Sequence, residues 1–250
     1  MNDKQTLLGV LGGLGPMSTV YFCELLTAHT KAATDADHID MLISSRASTP
    51  DRTAFILGRS QKDPLPIMLE EAKRLKNAGA DLLVIPCNTA HYFYDGLKNG
   101  CNLPILNIIE ETVMHLYQND IKTFGLLATE GTVYARSYER VCQSFGMTCL
   151  TPDRADQEII SGVIYDSIKQ NKPVDKKAFL RVADKLTQRG CERLVLGCTE
   201  LSLLKKEFAL ADSTYVDSLE VLAYKTILAC DKEPLGFPAS FDTGRNGGMI

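Results

Sequence analysis

Leu82-Leu83-Val84-Ile85-Pro86-Cys87-Asn88-Thr89 has a counterpart roughly 110 residues later, Arg193-Leu194-Val195-Leu196-Gly197-Cys198-Thr199-Glu200. In each segment an apolar run typical of a buried parallel strand precedes a cysteine, and small polar residues suited to opening a helix follow it. Both thiols are therefore predicted at the carboxyl ends of strands, where open α/β sheets bind their ligands. Two thiols that face each other could handle a proton from opposite sides of one carbon atom.

The repeat extends beyond the two cysteines. Three further pairs of segments recur in the same order, separated by roughly 110 to 116 residues: 78–81 with 189–192, 8–15 with 124–131, and 104–110 with 214–220. Each core strand is thus preceded by the same helix, glycine stop and acidic residue. The chain is predicted to contain two copies of one fold.

Alternating strands and helices are predicted along the whole chain. The strands are expected near residues 7–11, 39–44, 82–86, 104–107, 122–127, 147–150, 193–196 and 214–217. Helices fill the gaps, for instance at 16–33, 64–78, 132–145 and 174–189, and several are opened by Pro or closed by Gly. Strand and helix alternation is typical of parallel sheets. We predict an α/β fold with two similar domains, each a parallel four-stranded sheet flanked by helices.

The domain boundary is predicted near Asn119-Asp120. The N-terminal α/β domain then spans residues 1–118 and the C-terminal α/β domain spans residues 119–208. Residues 209–236 are a candidate for completing the N-terminal domain, because the closing helix of each half could pack against the opposite half. The polar, glycine-containing tail at 237–250 is expected to be flexible in part.

Composition excludes several classes of partner. The 250 residues are 45% hydrophobic and 23% charged, which suffices for one large core or two ordinary domains. The net charge of -4, the absence of Trp and the lack of a Lys and Arg patch argue against nucleic acid as a partner. No apolar stretch approaches the roughly 20 residues that span a bilayer, and no signal sequence precedes the first strand. We expect a cytoplasmic protein without a membrane partner.

The eight cysteines do not form a pattern typical of disulfides or metal binding. In the cytoplasm they would be kept mostly reduced. No C-x-x-C spacing is present, which removes the usual zinc interpretation, so no metal site is predicted. The six cysteines other than Cys87 and Cys198 are interpreted as packing residues.

Four short motifs carry a resemblance to a known family. They are Leu11-Gly12-Gly13-Leu14-Gly15-Pro16, Thr49-Pro50-Asp51-Arg52-Thr53, Pro86-Cys87-Asn88-Thr89-Ala90-His91 and Gly197-Cys198-Thr199-Glu200. Together, in this order, they resemble the aspartate/glutamate racemase family, which works without pyridoxal phosphate. The resemblance covers most of the chain. It implies two similar α/β domains related by pseudo-twofold symmetry, an active site in the cleft between them, no cofactor, and a homodimer.

The aspartate racemase branch of the family is the closer resemblance. Glutamate racemases of the cell-wall pathway usually carry Asp-Ser-Gly after the first strand and Gly-Cys-Thr-His at the second cysteine, whereas this chain has Leu11-Gly12-Gly13 and Glu200. An acidic amino acid, aspartate first and glutamate second, is therefore the expected small-molecule substrate.

The chemistry of racemisation explains why two thiols are needed. Inversion of an amino-acid α-carbon requires one base and one acid on opposite faces, because a single residue would tend to return the same proton. Helix starts and nearby donors can lower the pKa of a cysteine from about 8.5 towards the operating pH. Both Cys87 and Cys198 precede predicted helix starts, so each is a candidate catalytic residue that could exist as a thiolate.

Substrate-binding candidates surround the two cysteines in the sequence. The side chains of Asn88, Thr89 and Thr199, with backbone N–H groups of both turns, could hold the α-carboxylate where enolate charge develops. A distal carboxylate could be clamped by an arginine of the loop after the second strand, with Arg52 preferred. Further candidates are Glu200, which could orient the substrate ammonium, tune the thiol or favour the helix start, and Gly12, Gly13, Arg46 and Thr49.

Some alternatives stay open at this point. Aspartate racemases often place a basic residue in the second half, but Ser161 and Gly162 occupy the expected position, and Arg154 and Lys169 are the nearest positive charges. A racemase of an uncharged amino acid therefore stays possible, as do a cysteine-dependent maleate-type isomerase and a non-catalytic small-molecule binder. His91 lies one turn into a predicted helix, where a structural hydrogen bond is favoured over catalysis.

Overall fold

Two parallel four-stranded sheets form the framework of the chain. The computed structural model describes residues 5–241. The first sheet has the order β2-β1-β3-β4 and contains β1 (Leu8–Gly12), β2 (Met41–Ser45), β3 (Leu82–Val84) and β4 (Ile105–Leu106). The second has the order β6-β5-β7-β8 and contains β5 (Thr123–Leu127), β6 (Thr148–Leu150), β7 (Arg193–Leu196) and β8 (Tyr215–Asp217). The predicted fold class is confirmed, and the two strand orders are equivalent.

Helices connect the strands and flank both sheets. In the first half they are α1 (Pro16–His29), α2 (Arg52–Ile56), α3 (Leu65–Asn77), α4 (Tyr94–Cys101) and α5 (Ile108–Gln118). In the second half they are α6 (Glu130–Tyr134), α7 (Ser137–Gln143), α8 (Arg154–Gly162), α9 (Lys176–Gln188), α10 (Thr199–Phe208) and α11 (Ser218–Ala229). The single helix predicted at 132–145 is wrong, because Arg136 adopts a left-handed backbone (φ 52) that separates α6 from α7.

The repeated acidic residues pin the start of each sheet. Gly79 and Gly190 have φ values of 105° and 94°, a backbone that favours glycine and turns the chain out of the preceding helix. Asp81 then accepts a hydrogen bond from the backbone N–H of Leu7 at 3.1 Å. Glu192 does the same for the N–H groups of Lys122 and Thr123, both at 2.8 Å. The repeated acidic residue therefore makes equivalent hydrogen bonds to the backbone in both halves.

A core shared by both halves joins the two sheets. One cluster of buried side chains contains Val10 from β1 and Phe124 from β5, together with Phe22, Val113 and Leu222 from α1, α5 and α11. Two other clusters lie within one half each. The halves therefore pack on each other through helices, and the carboxyl ends of both sheets are held at fixed positions.

Residues 209–236, the candidate for completing the N-terminal domain, contribute to both halves. Strand β8 pairs with β7 in the second sheet, whereas α11 packs against α1 and α5 of the first half. The domain boundaries near residue 119 stay a prediction.

The described part of the C-terminal tail packs on α11. The rings of Phe237 and Phe241 lie 5.2 and 5.1 Å from that of Tyr224, and Phe241 is buried. The rest of the predicted flexible tail, residues 242–250, lies outside the described residues. Within residues 5–241, none of the helices combines the length and the apolarity that a bilayer-spanning segment requires.

Candidate active site

Both repeated cysteines line one cavity. Cys87 follows β3 and Cys198 follows β7, so each lies at the carboxyl end of a central strand of its sheet. The cavity walls also contain Leu14, Asp51, Arg52, Thr53, Asn88, Thr89, Thr129, Tyr165, Lys169, Thr199 and Glu200. Its free volume is about 10 Å³, which is room for about one water molecule. Side chains of the wall must therefore move to admit an amino acid.

Cys87 is 6% exposed and lies against the backbone of the first glycine-rich turn. Its thiol donates to the carbonyl oxygen of Leu14 at 3.6 Å. Burial raises the pKa of the Cys87 thiol, and the nearby charge of Arg52 and the N–H of Ala90, which is directed at the sulfur, oppose that rise. The site around Cys87 is thus buried but supplied with positive charge and a backbone donor.

Cys198 is 5% exposed and stands at the N-terminus of α10. Its thiol donates a hydrogen bond to Oε2 of Glu200 at 3.0 Å. Burial raises the pKa of Cys198 well above its usual value, and the negative charge of Glu200 adds to the rise, whereas Lys169 opposes it. In this arrangement Cys198 is held as a thiol.

Burial outweighs the helix starts at both thiols. Helix N-termini were expected to lower the pKa of each cysteine, but the pKa of each is raised, with desolvation as the largest cause. At Cys87 the helix start is also a weak one, because the residue is followed by the 3₁₀ helix Thr89–Phe93 and not by an α-helix. The thiolate must therefore be formed with help from charged neighbours.

Arg52 brings a positive charge into the cavity and is itself buried. Its guanidinium donates to the carbonyl oxygens of Leu14, Thr49 and Pro50, which fixes its plane. Its Nε atom is buried without a hydrogen-bond partner. A buried donor of this kind favours an anionic ligand, since an unpaired buried N–H is costly.

Glu200 is buried between the second thiol and a lysine. Its Oε2 accepts from Cys198, and its Oε1 lies 3.7 Å from Nζ of Lys169. Of the three roles considered for Glu200, the structure displays contact with the thiol and a place in the first turn of α10. The carboxylate can accept the proton of Cys198, and the ammonium of Lys169 would balance the charge that remains.

Asn88 ties the first cysteine turn to the second half. Its amide donates to the hydroxyl of Ser218 at 2.9 Å, and its carbonyl oxygen accepts from the hydroxyl of Tyr138 at 2.7 Å. One amide hydrogen remains for a ligand in the cavity, because the –NH₂ group has two donors. Asn88 therefore combines an anchoring role with a place in the cavity wall.

Threonine hydroxyls link the two halves at the cavity wall. The hydroxyl of Thr89 lies 2.8 Å from that of Thr129 and 3.0 Å from that of Thr132, and the latter two are 3.0 Å apart. Across the cavity, Thr199 donates to the carbonyl oxygen of Pro86 at 3.3 Å. Each cysteine turn is thus bonded to residues of the opposite half.

Four of the predicted substrate-binding residues lie outside the cavity. Arg46 forms an ion pair with Glu71 at 2.7 Å, because α3 places a carboxylate beside the loop. The N–H of Gly13 is taken by the hydroxyl of Thr19, and a side chain at Gly12 would collide with Thr19. Thr49 donates to the carbonyl oxygen of Arg46 at 2.8 Å and supports the loop. The structure gives these four residues packing and loop contacts, and Gly13 and Thr49 also line a larger outer cleft beside the cavity.

Comparison with known proteins agrees with this geometry. The sequence profile of the Asp/Glu/hydantoin racemase family matches residues 11–226. The chain belongs to this family. Its enzyme class, an isomerase that racemises amino acids, is thereby confirmed, as is the family resemblance of the four motifs.

Individual relatives match this chain over most or a large part of its length. The broad specificity amino-acid racemase RacX of Bacillus subtilis (strain 168) is 25% identical over 228 residues, covering 88% of this chain and 96% of the relative. A glutamate racemase of Aquifex pyrophilus is 31% identical over 175 residues, covering 66% of this chain and 65% of the relative. The solved structure of the Picrophilus torridus aspartate racemase is 26% identical with a TM-score of 0.79, covering 95% of this chain and 98% of that chain.

Lys169 is a functional candidate that the sequence argument did not select. Its side chain is 26% exposed and lies over the ring of Tyr165 at 4.5 Å, beside Glu200. The racemase chain reaches this position through a π-helical turn, Val163–Ser167, which continues α8 and shifts the register of the side chains that follow. A π-turn inside a helix often marks a functional site, but the sequence alone gives no period that would reveal it.

An outer cleft adjoins the cavity of the racemase. Its volume is about 800 Å³, and it shares Leu14, Asp51, Arg52, Lys169 and Glu200 with the inner cavity. These shared residues form a neck between the two spaces. A substrate that arrives through the cleft meets the two cations of the neck before it reaches the thiols.

Proposed function

We propose that the racemase inverts an acidic amino acid, aspartate first and glutamate second, by two-base proton transfer between Cys87 and Cys198. The observation that carries the proposal is the shared cavity, which both thiols line from different halves together with Arg52 and Lys169. The reaction as proposed needs no cofactor, since the two sulfurs supply both the base and the acid.

The charges of the cavity support a substrate with a second carboxylate. Arg52 provides a buried positive charge, Lys169 provides a second positive charge that is partly exposed, and Glu200 provides a buried negative one. The other acidic residue of the wall, Asp51, is engaged as the cap of α2, where it accepts from the N–H of Ala54 at 2.7 Å. The distal carboxylate would bind between Arg52 and Lys169, as charge-assisted hydrogen bonds to Arg are strong and directional.

The proton inventory of the proposed reaction balances without an added reactant. One cysteine, as a thiolate, takes the α-proton and becomes a thiol, and the electron pair moves into the α-carboxylate as an enolate. The other cysteine, as a thiol, donates its proton to the opposite face of the carbon and becomes a thiolate. Donors at Asn88, Thr89 and Thr199 would stabilise the enolate charge. In the reverse direction the two cysteines exchange roles.

Glu200 offers a route by which a buried thiol becomes a base. The Cys198 proton already points at its carboxylate at 3.0 Å. Transfer to Glu200 would leave a neutral acid beside a thiolate, and the Lys169 ammonium would stabilise that thiolate. The high pKa that burial gives to Cys198 therefore does not exclude a catalytic thiolate during turnover.

The test combines chiral chromatography with isotope exchange in heavy water. L- and D-forms of all proteinogenic amino acids are incubated with the protein in D₂O, and both inversion and α-deuterium are measured. We expect aspartate to invert and to gain one deuterium per turnover. Rapid inversion of alanine or lysine with no aspartate turnover would refute the acidic substrate, and deuterium without inversion would refute the two-base mechanism.

A matched cysteine variant controls for general thiol loss. Cys23 lies partly exposed on α1, outside the cavity. We expect Cys23→Ala to keep the wild-type rate, whereas Cys87→Ala and Cys198→Ala do not. A maleate-type isomerase would instead convert a double bond and leave every amino acid without α-deuterium.

The assembly and location of the racemase stay proposals as well. The family resemblance supports a homodimer, which sedimentation analysis would test by mass. A cytoplasmic location would be tested by cell fractionation with a cytoplasmic marker.

A further inference from the structure

His91 connects the first cysteine turn to the start of the next helix. Its Nδ1 lies 2.8 Å from the carbonyl oxygen of Cys87, and its Nε2 accepts from the backbone N–H of Ile108 at 3.3 Å. The side chain is 6% exposed. Ile108 is the first residue of α5, and its N–H is one of the helix donors that have no partner within the helix.

The two contacts determine which ring nitrogen carries the proton. A backbone N–H can donate only to an unprotonated nitrogen, so the bond from Ile108 favours Nε2 as an acceptor over donation by the ring to the nearby carbonyl oxygen of Leu106. Nδ1 must then carry the hydrogen and donate to the carbonyl of Cys87. This tautomer is fixed by its partners, as imidazole orientation commonly is. Burial lowers the pKa of His91 to about 4, so the ring is neutral at physiological pH.

The two hydrogen bonds of His91, to the carbonyl of Cys87 and from the N–H of Ile108, are here called the clamp. The clamp affects the position of the backbone N–H that faces the Cys87 sulfur. His91 follows Ala90 directly, and the N–H of Ala90 is directed at the Cys87 sulfur. Within the same short 3₁₀ helix, the backbone N–H of His91 donates to the carbonyl oxygen of Asn88 at 3.0 Å. If the Cys87 carbonyl group changed its orientation, this short helix would therefore tilt, and the Ala90 N–H would turn away from the thiol.

The second cysteine turn has no equivalent of this clamp. Ser202 stands at the matching position, four residues after Cys198, and its hydroxyl donates to Asp217 at 2.7 Å. The carbonyl oxygen of Cys198 accepts instead from the backbone N–H of Leu201 at 2.9 Å, within a regular helix start. The imidazole at 91 thus replaces a bond that an α-helix would supply.

We propose that His91 is a positioning residue for Cys87: a neutral imidazole, protonated on Nδ1, that holds the Cys87 carbonyl and the first N–H of α5 and thereby keeps the Ala90 N–H on the thiol. The inference rests on the proposed catalytic role of Cys87. It assigns His91 no contact with the substrate and no transfer of a proton.

The first test is spectroscopic and needs no turnover. Long-range ¹H–¹⁵N correlation spectra of the ¹⁵N-labelled protein at pH about 7 report the tautomer of each of the four histidines. The signal of His91 is assigned by its loss in His91→Asn. We expect a protonated Nδ1 and an unprotonated Nε2, and a protonated Nε2 would overturn the proposal.

The second test compares two near-isosteric variants. His91→Asn keeps a donor near the position of Nδ1, whereas His91→Leu keeps none. The readout is the pH profile of Cys87 alkylation by iodoacetamide, followed by peptide mass spectrometry, with Cys198 in the same sample as reference. Arg52, Lys169, Glu200 and Tyr165 also face Cys87 and are unchanged in both variants.

The expected outcomes differ between the two variants. His91→Leu should shift the Cys87 profile upwards by about one pH unit, as the thiolate loses an aligned donor, and His91→Asn should shift it much less. The Cys198 profile should not move in either. Equal shifts in both variants, or equal shifts at both cysteines, would indicate a merely structural role and overturn the proposal.

Two controls keep the result interpretable. His115→Gln removes a second buried imidazole, which packs on the ring of Phe241 at 4.4 Å, and should leave the Cys87 profile unchanged. If His91→Leu does not fold, two measurements still test the proposal. They are the Cys87 alkylation profile of His91→Asn, which should stay near that of the wild type, and the tautomer of His91 in the NMR spectrum. Absence of amino-acid inversion would refute the proposed function but would leave both of these measurements valid.

Discussion

The two cysteine turns occupy equivalent places in the two halves, yet their surroundings differ. Cys87 donates weakly to a carbonyl oxygen, precedes a 3₁₀ helix of five residues and has Arg52 nearby. Cys198 begins a helix of ten residues and donates to the carboxylate of Glu200. The strand orders and the hydrogen bonds of Asp81 and Glu192 repeat, whereas the contacts of the sulfurs do not.

The comparison shows that the repeated fold places the two thiols at equivalent positions, whereas the charges near each sulfur set whether it is protonated. Burial raises the pKa of both thiols, but only Cys198 has a carboxylate bonded to its sulfur. We therefore expect Cys87 to be the first of the two to lose its proton. A symmetric fold then holds an asymmetric pair, with a base in one half and an acid in the other.

The largest expected effect follows removal of either thiol. Cys87→Ala and Cys198→Ala should each reduce inversion of aspartate by at least about 10³-fold, because a positioned proton donor or acceptor contributes 10²- to 10⁴-fold. The double variant should be little worse than either single one, since the pair acts as a unit. Inversion is followed by polarimetry. Full activity in either single variant would contradict the two-thiol mechanism.

The second effect is a loss of stability in acid. It should arise at the first cysteine turn, which contains His91, and not at the second, where Ser202 occupies the matching position. Burial lowers the pKa of His91 to about 4, whereas an unfolded histidine titrates near 6.5. Between these values the unfolded chain binds more protons, so the stability is lost as the pH falls from about 6.5 towards 4. The loss amounts to about 2 to 3 kcal/mol.

Urea unfolding at pH 7.5 and pH 4.5 measures this loss. The difference between the two pH values should shrink by about 2 kcal/mol in His91→Asn and stay unchanged in Ser202→Ala. His115, whose pKa is also lowered to about 4 by burial, contributes a similar loss that both variants keep. An unchanged difference in His91→Asn would show that its imidazole is not neutral and buried.

Arg52→Ala should raise the Michaelis constant for aspartate by about 10- to 100-fold and change alanine turnover little, as a hydrogen bond to a charged group contributes about 1.5 to 3 kcal/mol. Initial rates with both substrates check this. Arg46→Ala is the matched control, because that guanidinium pairs with Glu71 outside the cavity. Equal effects of Arg52→Ala on aspartate and alanine would assign Arg52 to the loop alone.

The smallest effect concerns the charges beside Cys198. Besides burial, Glu200 raises the pKa of this thiol and Lys169 opposes the rise. In Glu200→Gln the pKa should fall, so that alkylation of Cys198 begins about one pH unit lower; in Lys169→Met it should rise by a similar amount. Peptide mass spectrometry of alkylated protein gives both profiles. Shifts of the same sign would refute the charge assignment.

The fold could be predicted from the sequence because its signals are local. The apolar runs at Leu82 and Arg193, each framed by a glycine turn and a cysteine, define parallel strands, and their recurrence defines two similar halves. The same pattern places Cys87 and Arg52 after strands of the first sheet and Cys198 after a strand of the second, each at a carboxyl end. The shared cavity between the two sheets is implied by the family resemblance and not by the pattern.

Other features depend on contacts that no period in the sequence displays. Lys169 reaches the cavity only through a π-turn, and Arg46 is diverted by Glu71 from a different helix. The raised pKa of Cys198 reflects burial and the negative charge of Glu200, which together outweigh its own helix start. Thr19 lies against Gly12 and leaves no room for a side chain there, which is a packing reason for this glycine.

The helix layer shared by both sheets makes each half depend on the other for its solubility. Val113 on α5 and Leu222 on α11 are completely buried against side chains of both halves. A protein with the length of one half would expose this layer to water, and apolar surface of that kind drives association. Either half alone is therefore expected to associate with a second copy of itself and not to remain a monomer.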